Sequence, residues 1–131
     1  MGRKIGHISI LVHDYDEAIA FYTDKAGFVL LADNAFGEGI RWVAVAPSAE
    51  SATAIVFVQA DTEEKRSRVG SQAANHVFLV VETDDCQRDY EQMKAKGVHF
   101  HGEPSVVPWG MEVVFEDLYG NRLDLLQPSG F

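Results

Sequence analysis

Two stretches of the chain, His7-Ile8-Ser9-Ile10-Leu11-Val12 and His76-Val77-Phe78-Leu79-Val80-Val81, carry the same pattern. Each is followed by an acidic break, a segment in which apolar residues recur at helical spacing, and a glycine, Gly27 or Gly97. The two histidines lie 69 residues apart and the two glycines 70. A fixed spacing of this kind indicates an internal repeat. The sequence therefore predicts two copies of one strand–helix–strand unit.

The first copy, residues 1–60, has the pattern of a βαβββ module. Asp14 and Glu17 form a capping-box pattern at the start of the predicted helix. Gly27 is suited to end that helix, because glycine adopts the left-handed conformation at low cost. Apolar and β-branched runs predict strands at 4–12, 28–32, 40–46 and 53–59.

The second copy, residues 75–131, repeats the same order of elements. We predict a helix at 84–96 and strands at 75–81, 98–101, 112–116 and 122–127, with 106–110 as an irregular loop. Residues 61–74 are polar and carry both charges, so they form a connector in which a helical turn would fit. The resulting prediction is one α+β domain, residues 1–131, in which two modules curl mixed sheets around a cleft. A module of about 60 residues is marginal alone, so the halves must pair, within the chain or with a second chain.

Composition narrows the possible partners and compartments. The chain has 131 residues and a net charge of -9, from 20 acidic and 11 basic side chains, which argues against nucleic acid as a partner. The one cysteine, Cys86, excludes an intrachain disulfide and favours a reducing compartment. The N-terminus lacks a signal-peptide pattern, and no apolar run approaches the ~20 residues that span a bilayer. We therefore expect a cytoplasmic protein with no membrane partner.

His7 and His76 open corresponding strands of the two copies. If a local two-fold axis relates the modules, equivalent positions face each other across the cleft. Neutral imidazole is a ligand for Zn, Fe, Ni and Mn-type sites. The pattern predicts that both histidines bind one metal ion. The alternative is that each is a half-exposed histidine at a strand end with no role.

Asp124 is the candidate third metal ligand. It lies between Leu123 and Leu125 in a strand that is otherwise apolar. Burying a carboxylate is unfavourable unless it is paired or bound to a cation. Two histidines and one carboxylate, with open positions, form many non-haem iron sites. The alternative is that Asp124 points outward or pairs with Arg122.

The chain resembles the vicinal oxygen chelate superfamily, which includes glyoxalase I, extradiol dioxygenases, fosfomycin-resistance enzymes and bleomycin-resistance proteins. The residues that carry the resemblance are His7, Phe21-Tyr22, Gly27-Phe28, His76 and Asp117-x-x-Gly120-Asn121-x-x-Asp124-Leu125. The resemblance implies paired βαβββ modules and a homodimer in which two chains share two clefts. It also implies a divalent metal ion (Fe, Mn, Ni, Zn or Co) in each cleft when the ligands are present.

The same resemblance suggests a role for individual residues. His7 matches the ligand of the first strand and His76 that of the fifth, while Asp124 stands where the family usually has Glu. The carboxylate that glyoxalase I carries in strand four falls at Phe57, and Gln59 is a candidate substitute two residues on. A missing fourth ligand argues against an ordinary glyoxalase I. Two histidines and one carboxylate match the extradiol dioxygenases.

Two functions follow from the resemblance. The first is a metal-dependent lyase or dioxygenase acting on a small oxygen-bearing substrate, with the metal held by His7, His76 and Asp124. The second is a metal-free protein that sequesters a flat or aromatic molecule, favoured by Phe57 in a ligand position and by the loop around Trp109. We predict substrate contacts at Phe57, Gln59 and Trp109. The other histidines have no equivalent in the opposite repeat and are assigned no role; they are His13, His99 and His101.

Overall fold

The structure of the protein is a computed structural model, and it describes residues 2–129. The chain divides into two compact units, one ending at Val69 and the other beginning at Gly70. Each unit contains one four-stranded mixed sheet, so the prediction of an α+β fold built from two βαβββ modules is confirmed. Within residues 2–129, no helix has the length and apolar character needed to cross a membrane.

The first unit contains the sheet order β1-β4-β3-β2. Its strands β1 and β4 are parallel, and the other neighbours are antiparallel. A π-helical turn, Phe21–Lys25, continues directly from α1. The elements are β1 His7–Val12, α1 Tyr15–Ala20, β2 Val29–Ala35, β3 Arg41–Ala46, β4 Ala54–Gln59 and α2 Glu63–Arg68. The helix α2 lies in the segment that the sequence assigned to the connector.

Local signals in the sequence explain both ends of the first helical segment. The Asp14 carboxylate accepts a hydrogen bond from the backbone N–H of Glu17 at 2.9 Å, as the capping pattern predicts. Gly27 follows the helical segment with φ +78°, a conformation in which other residues are strained. The chain can therefore turn there into β2.

The core of the first unit lies between the helical segment and one face of the sheet. Ile10, Val43 and Phe57 are aligned across three neighbouring strands, and all three are buried. The Tyr22 ring packs against Phe57 with ring centroids 5.2 Å apart. Alternation along each strand puts the neighbouring residues on the opposite face, which we call the first open face.

The second unit repeats the arrangement with the sheet order β5-β8-β7-β6. Strands β5 and β8 are parallel, and the other neighbours are antiparallel. The elements are β5 Val77–Glu82, α3 Cys86–Ala95, β6 Ser105–Val107, β7 Gly110–Glu116 and β8 Arg122–Pro128. Asp85 caps α3 by accepting a hydrogen bond from the backbone N–H of Arg88 at 3.0 Å.

The predicted strand at 98–101 is wrong. Phe100 makes only an isolated bridge to Phe115, and Gly102, with φ +119°, turns the chain away soon after. The edge strand β6 lies instead at Ser105–Val107, partly within the predicted loop, where Val107 pairs with Gly110 in a tight hairpin. Val106 is 80% exposed. Its apolar side chain therefore does not pack in the core, although it lies in a strand.

The core of the second unit lies on the α3 side of its sheet. Leu123 is aligned with Phe115, and Leu125 with Val113, and all four are buried. The Cys86 thiol of α3 contacts the Leu125 carbonyl oxygen at 3.6 Å. The residues that alternate with this core form the second open face, which includes Val80, Glu112, Val114 and Asp124.

Candidate functional site

His7 lies on the first open face and is exposed. Its ring meets the Trp42 ring edge to face, with centroids 5.2 Å apart and planes at 88°. Such pairs are favourable because the positive ring edge meets the negative ring face. The structure thus places the predicted ligand beside an aromatic surface in the first unit.

The two residues predicted on β4 have different surroundings. Phe57 is 1% exposed and its ring packs in the core against Tyr22, so it does not line the first open face. Gln59 is exposed, and its side-chain amide donates a hydrogen bond to the backbone oxygen of His13 at 3.2 Å. Phe57 is therefore better explained as a core residue than as a ligand contact.

His76 is exposed and lies immediately before β5. Its backbone N–H donates to the Ala73 oxygen at 3.1 Å. The Arg122 guanidinium donates to the Asn75 oxygen at 2.7 Å, which anchors this strand entry. Arg122 is aligned with Val77, and the register of β5 shifts by one residue after that pair. Asp124 therefore lies about three strand positions, or roughly 10 Å, beyond His76. A shared ion would require both side chains to reach along the sheet.

Asp124 is buried on the second open face, with 8% of its surface exposed. Among the residues that the structure describes, its Oδ1 atom has no hydrogen-bond partner. The alternative that Asp124 points out to solvent is thus not what the structure shows. An unpaired buried carboxylate oxygen is unfavourable unless a proton, a cation or a ligand satisfies it.

The nearest acidic neighbour of Asp124 is Glu112, one strand away and two residues off in register. Burial, a hydrogen bond to Glu112 and the negative charge of Glu112 together raise the pKa of Asp124 from 3.8 to about 7, with burial as the largest cause. Two carboxyl groups this close favour sharing one proton, because two adjacent negative charges repel. Near neutral pH the pair therefore offers both a hydrogen-bond donor and acceptors.

Trp109 completes this part of the face. Its indole N–H donates to the Glu112 carboxylate at 3.1 Å, while the residue remains 56% exposed. We call Trp109, Glu112 and Asp124 the indole–carboxyl group. It combines an exposed aromatic surface, held by one hydrogen bond, with a buried pair of carboxyl groups. Planar ligands stack on such a ring, and their polar groups can bind the carboxyls.

A second cluster consists of residues to which the sequence assigned no role. The His101 Nε2 lies 2.6 Å from the Glu116 Oε2, and the His99 Nε2 lies 3.9 Å from the same oxygen. One side-chain ligand atom from each of the three residues lies within 4.8 Å of the other two. The sequence carries one signal for this cluster, the spacing His-x-His, because residues two apart in an extended segment share a face. Internal symmetry, which guided the choice of His7 and His76, does not detect such a site.

Comparison with known proteins agrees with this architecture. The sequence matches the Glyoxalase/Bleomycin resistance protein/Dioxygenase superfamily over residues 4–125. It is 42% identical to an uncharacterized protein of Shewanella frigidimarina (strain NCIMB 400) over 128 residues, covering 97% of this chain and 95% of that one.

Two solved structures have the same fold. UcmS2 superposes with a TM-score of 0.83 at 32% identity, over 96% of this chain and 98% of that chain. TnmS3, an antibiotic-binding protein from Streptomyces sp. CB03234, superposes with a TM-score of 0.81 at 34% identity, over 98% of this chain and 99% of that chain. The repeat, the two four-stranded sheets and these similarities lead to one conclusion: the chain belongs to the Glyoxalase/Bleomycin resistance protein/Dioxygenase superfamily.

Proposed function

We propose that this protein binds a small planar molecule on the second open face, without chemically changing it. The observation that carries the proposal is the exposed Trp109 ring, oriented by its hydrogen bond to Glu112. An exposed indole ring held in one orientation offers a flat surface on which a planar ligand can stack. The similarity to TnmS3, an antibiotic-binding protein, supports binding rather than reaction.

The carboxyl pair suggests which ligands would fit. Asp124 and Glu112 can accept hydrogen bonds, and one shared proton lets the pair donate one. The net charge of -9 disfavours an anionic ligand. We therefore propose a neutral or cationic aromatic molecule that carries a hydroxyl or amino group beside its ring.

Trp109 fluorescence provides the test, because the chain has two tryptophans and Trp42 lies in the other unit. In a Trp42→Phe background we expect the planar cation proflavine to quench the remaining emission saturably. Trp109→Leu, which removes the aromatic ring, should weaken proflavine binding roughly 5-fold, measured by calorimetry, since stacking contributes about 1 kcal/mol. Trp42→Leu is the matched control and should leave the affinity unchanged.

One result of this experiment would contradict binding at Trp109. If Trp109→Leu and Trp42→Leu bind proflavine with the same affinity as the parent protein, the second open face is not the binding surface. The anionic dye 8-anilinonaphthalene-1-sulfonate should bind more weakly than proflavine, since the acidic protein repels it.

A metal-dependent lyase or dioxygenase is the second candidate, and the unpaired Asp124 Oδ1 favours it. The chemistry of this atom fits a divalent ion, because a cation would satisfy a buried carboxylate oxygen. Asp124 and His76 would be the ligands from the second unit, and His7 remains a ligand predicted from sequence. A bound ion would act as a Lewis acid on a substrate oxygen. The homodimer and the cytoplasmic location also remain predictions.

Metal analysis separates this candidate from metal-free binding. If it is right, the protein reconstituted with Fe, Mn, Ni, Zn or Co retains one ion per chain, and Asp124→Asn abolishes that retention. The measurement belongs in a His99→Gln/His101→Gln background, so that the second cluster cannot contribute. Less than about a tenth of an equivalent in that background would contradict the enzymatic candidate.

A further inference from the structure

We propose that His99, His101 and Glu116 form a binding site for one divalent transition-metal ion, with Zn²⁺ as the best-suited ion. The site lies at the edge of the second sheet, where the segment 99–101 runs beside the end of β7. It shares no residue with the indole–carboxyl group or with the ligands that the family resemblance predicts.

The backbone holds the three side chains on one face. The His101 N–H donates to the Val114 oxygen at 2.9 Å, and the Glu116 N–H donates to the His99 oxygen at 3.0 Å. Between the two histidines, the Phe100 ring packs against Tyr90, with centroids 4.8 Å apart. Since side chains alternate along an extended segment, the core anchors Phe100 and directs both imidazoles to the opposite face.

The ligand atoms are close to the spacing that an ion would impose. With metal–ligand bonds of about 2.0–2.1 Å, neighbouring ligand atoms lie roughly 3–3.4 Å apart. The separation between the His99 Nε2 and the Glu116 Oε2 is 3.9 Å, and that between the His101 Nε2 and the same oxygen is 2.6 Å. To reach that spacing, the shorter distance must lengthen by about 0.4–0.8 Å and the longer one must shorten by about 0.5–0.9 Å. Two of the groups are exposed imidazoles and the third is a half-buried carboxylate, so rotation about side-chain bonds can provide such changes.

The donor set decides which ions fit. Imidazole nitrogen suits Zn²⁺, Co²⁺, Ni²⁺ and Cu²⁺, whereas Mg²⁺ and Ca²⁺ prefer oxygen ligands. Three protein ligands leave at least one coordination position for water, because the cluster is exposed on one side. An ion there would link the segment 99–101 to the end of β7 and stabilise the folded state by mass action.

Cobalt spectroscopy and zinc competition test the site on the full-length protein. We expect one equivalent of Co²⁺ to give visible d–d absorption that Zn²⁺ abolishes on displacement. His99→Gln and His101→Gln should each weaken Zn²⁺ binding at least ~10-fold in competition with a chromogenic chelator, as loss of a ligand does. His13→Gln removes a histidine of the other unit and should leave zinc affinity unchanged. Mg²⁺ and Ca²⁺ should give no response.

The outcome also separates this site from the enzymatic candidate. Zinc binding that persists in His99→Gln/His101→Gln but disappears in Asp124→Asn would overturn the present proposal and support the second candidate function. No cobalt spectrum and no zinc competition in a parent protein with intact circular dichroism would overturn it outright. Proflavine affinity should be the same in His101→Gln as in the parent protein, since the two sites share no residue.

Discussion

Replacing Gly70 with alanine is expected to destabilise the second unit by at least ~4 kcal/mol, a large part of the free energy of unfolding of a typical domain. A Cβ at this position would lie 1.9 Å from the backbone oxygen of Tyr119 and 2.8 Å from its carbonyl carbon. Both are backbone atoms, so no side-chain rotation relieves the overlap. Gly70 also has φ +84°, which disfavours alanine independently of the space around it.

Gly97→Ala is the matched control for this effect. Gly97 has a similar φ of +94°, but a Cβ there would meet nothing within 4 Å in the described part of the chain. Gly97→Ala should therefore lower the free energy of unfolding by only about 1–2 kcal/mol, the energy of the strained backbone conformation. Urea unfolding followed by circular dichroism measures the free energy of unfolding of both variants. Equal losses for the two variants would show that the turn at Tyr119 does not approach Gly70 as closely as described.

Replacing Asp124 with asparagine is expected to stabilise the protein at pH 8 and to leave its stability nearly unchanged at pH 4. The folded-state pKa of Asp124 is raised from 3.8 to about 7, by burial first and by Glu112 second. Between these two pH values the folded protein holds a proton that the unfolded chain has released. Stability contributed by this group therefore falls as pH rises from about 4 to about 7, and then levels off.

Asparagine removes that dependence while keeping the shape of the side chain. Its amide can donate a hydrogen bond to the Glu112 carboxylate, which replaces the repulsion between two carboxylates. We expect the variant to be roughly 2–4 kcal/mol more stable than the parent protein at pH 8, with the difference vanishing towards pH 4. Urea unfolding at several pH values measures the difference, in which the contributions of carboxyl groups away from the Asp124–Glu112 pair cancel.

Glu82→Gln is the control for the loss of one negative charge from an acidic protein. Glu82 is an exposed carboxylate on β5 of the same sheet, so its removal should change stability by less than about 0.5 kcal/mol at any pH. If Asp124→Asn destabilises the protein at pH 8, the ionised carboxylate has a favourable role there. Such a role would favour the metal-dependent candidate, in which a cation satisfies Asp124.

Much of the fold could be predicted because its signals are local. The spacing of His7 and His76 and of Gly27 and Gly97 indicated the repeat. The helix cap at Asp14 was readable from residues within one turn of each other. The exception was β6, where an exposed hairpin strand carries little apolar alternation and depends on pairing with β7 rather than on burial.

The candidate site could be predicted only in part. Asp124 stood out in the sequence because it is an acidic residue inside an apolar strand. The structure places it in a buried position. Trp109 was selected as a ligand contact, and that role remains a prediction. Phe57 was assigned from family position, but its alignment with Ile10 and Val43 across three strands puts the ring in the core.

The sequence by itself determined the repeat, the helix ends and the βαβββ order, because these depend on contacts between residues near in the chain. Only the tertiary structure decided that Glu112 stands between Trp109 and Asp124, and that Glu116 meets His99 and His101. Those neighbours are set by the register of antiparallel strands, and a shift of one residue would turn each side chain to the opposite face. Residues distant in sequence become chemical partners only once that register is set.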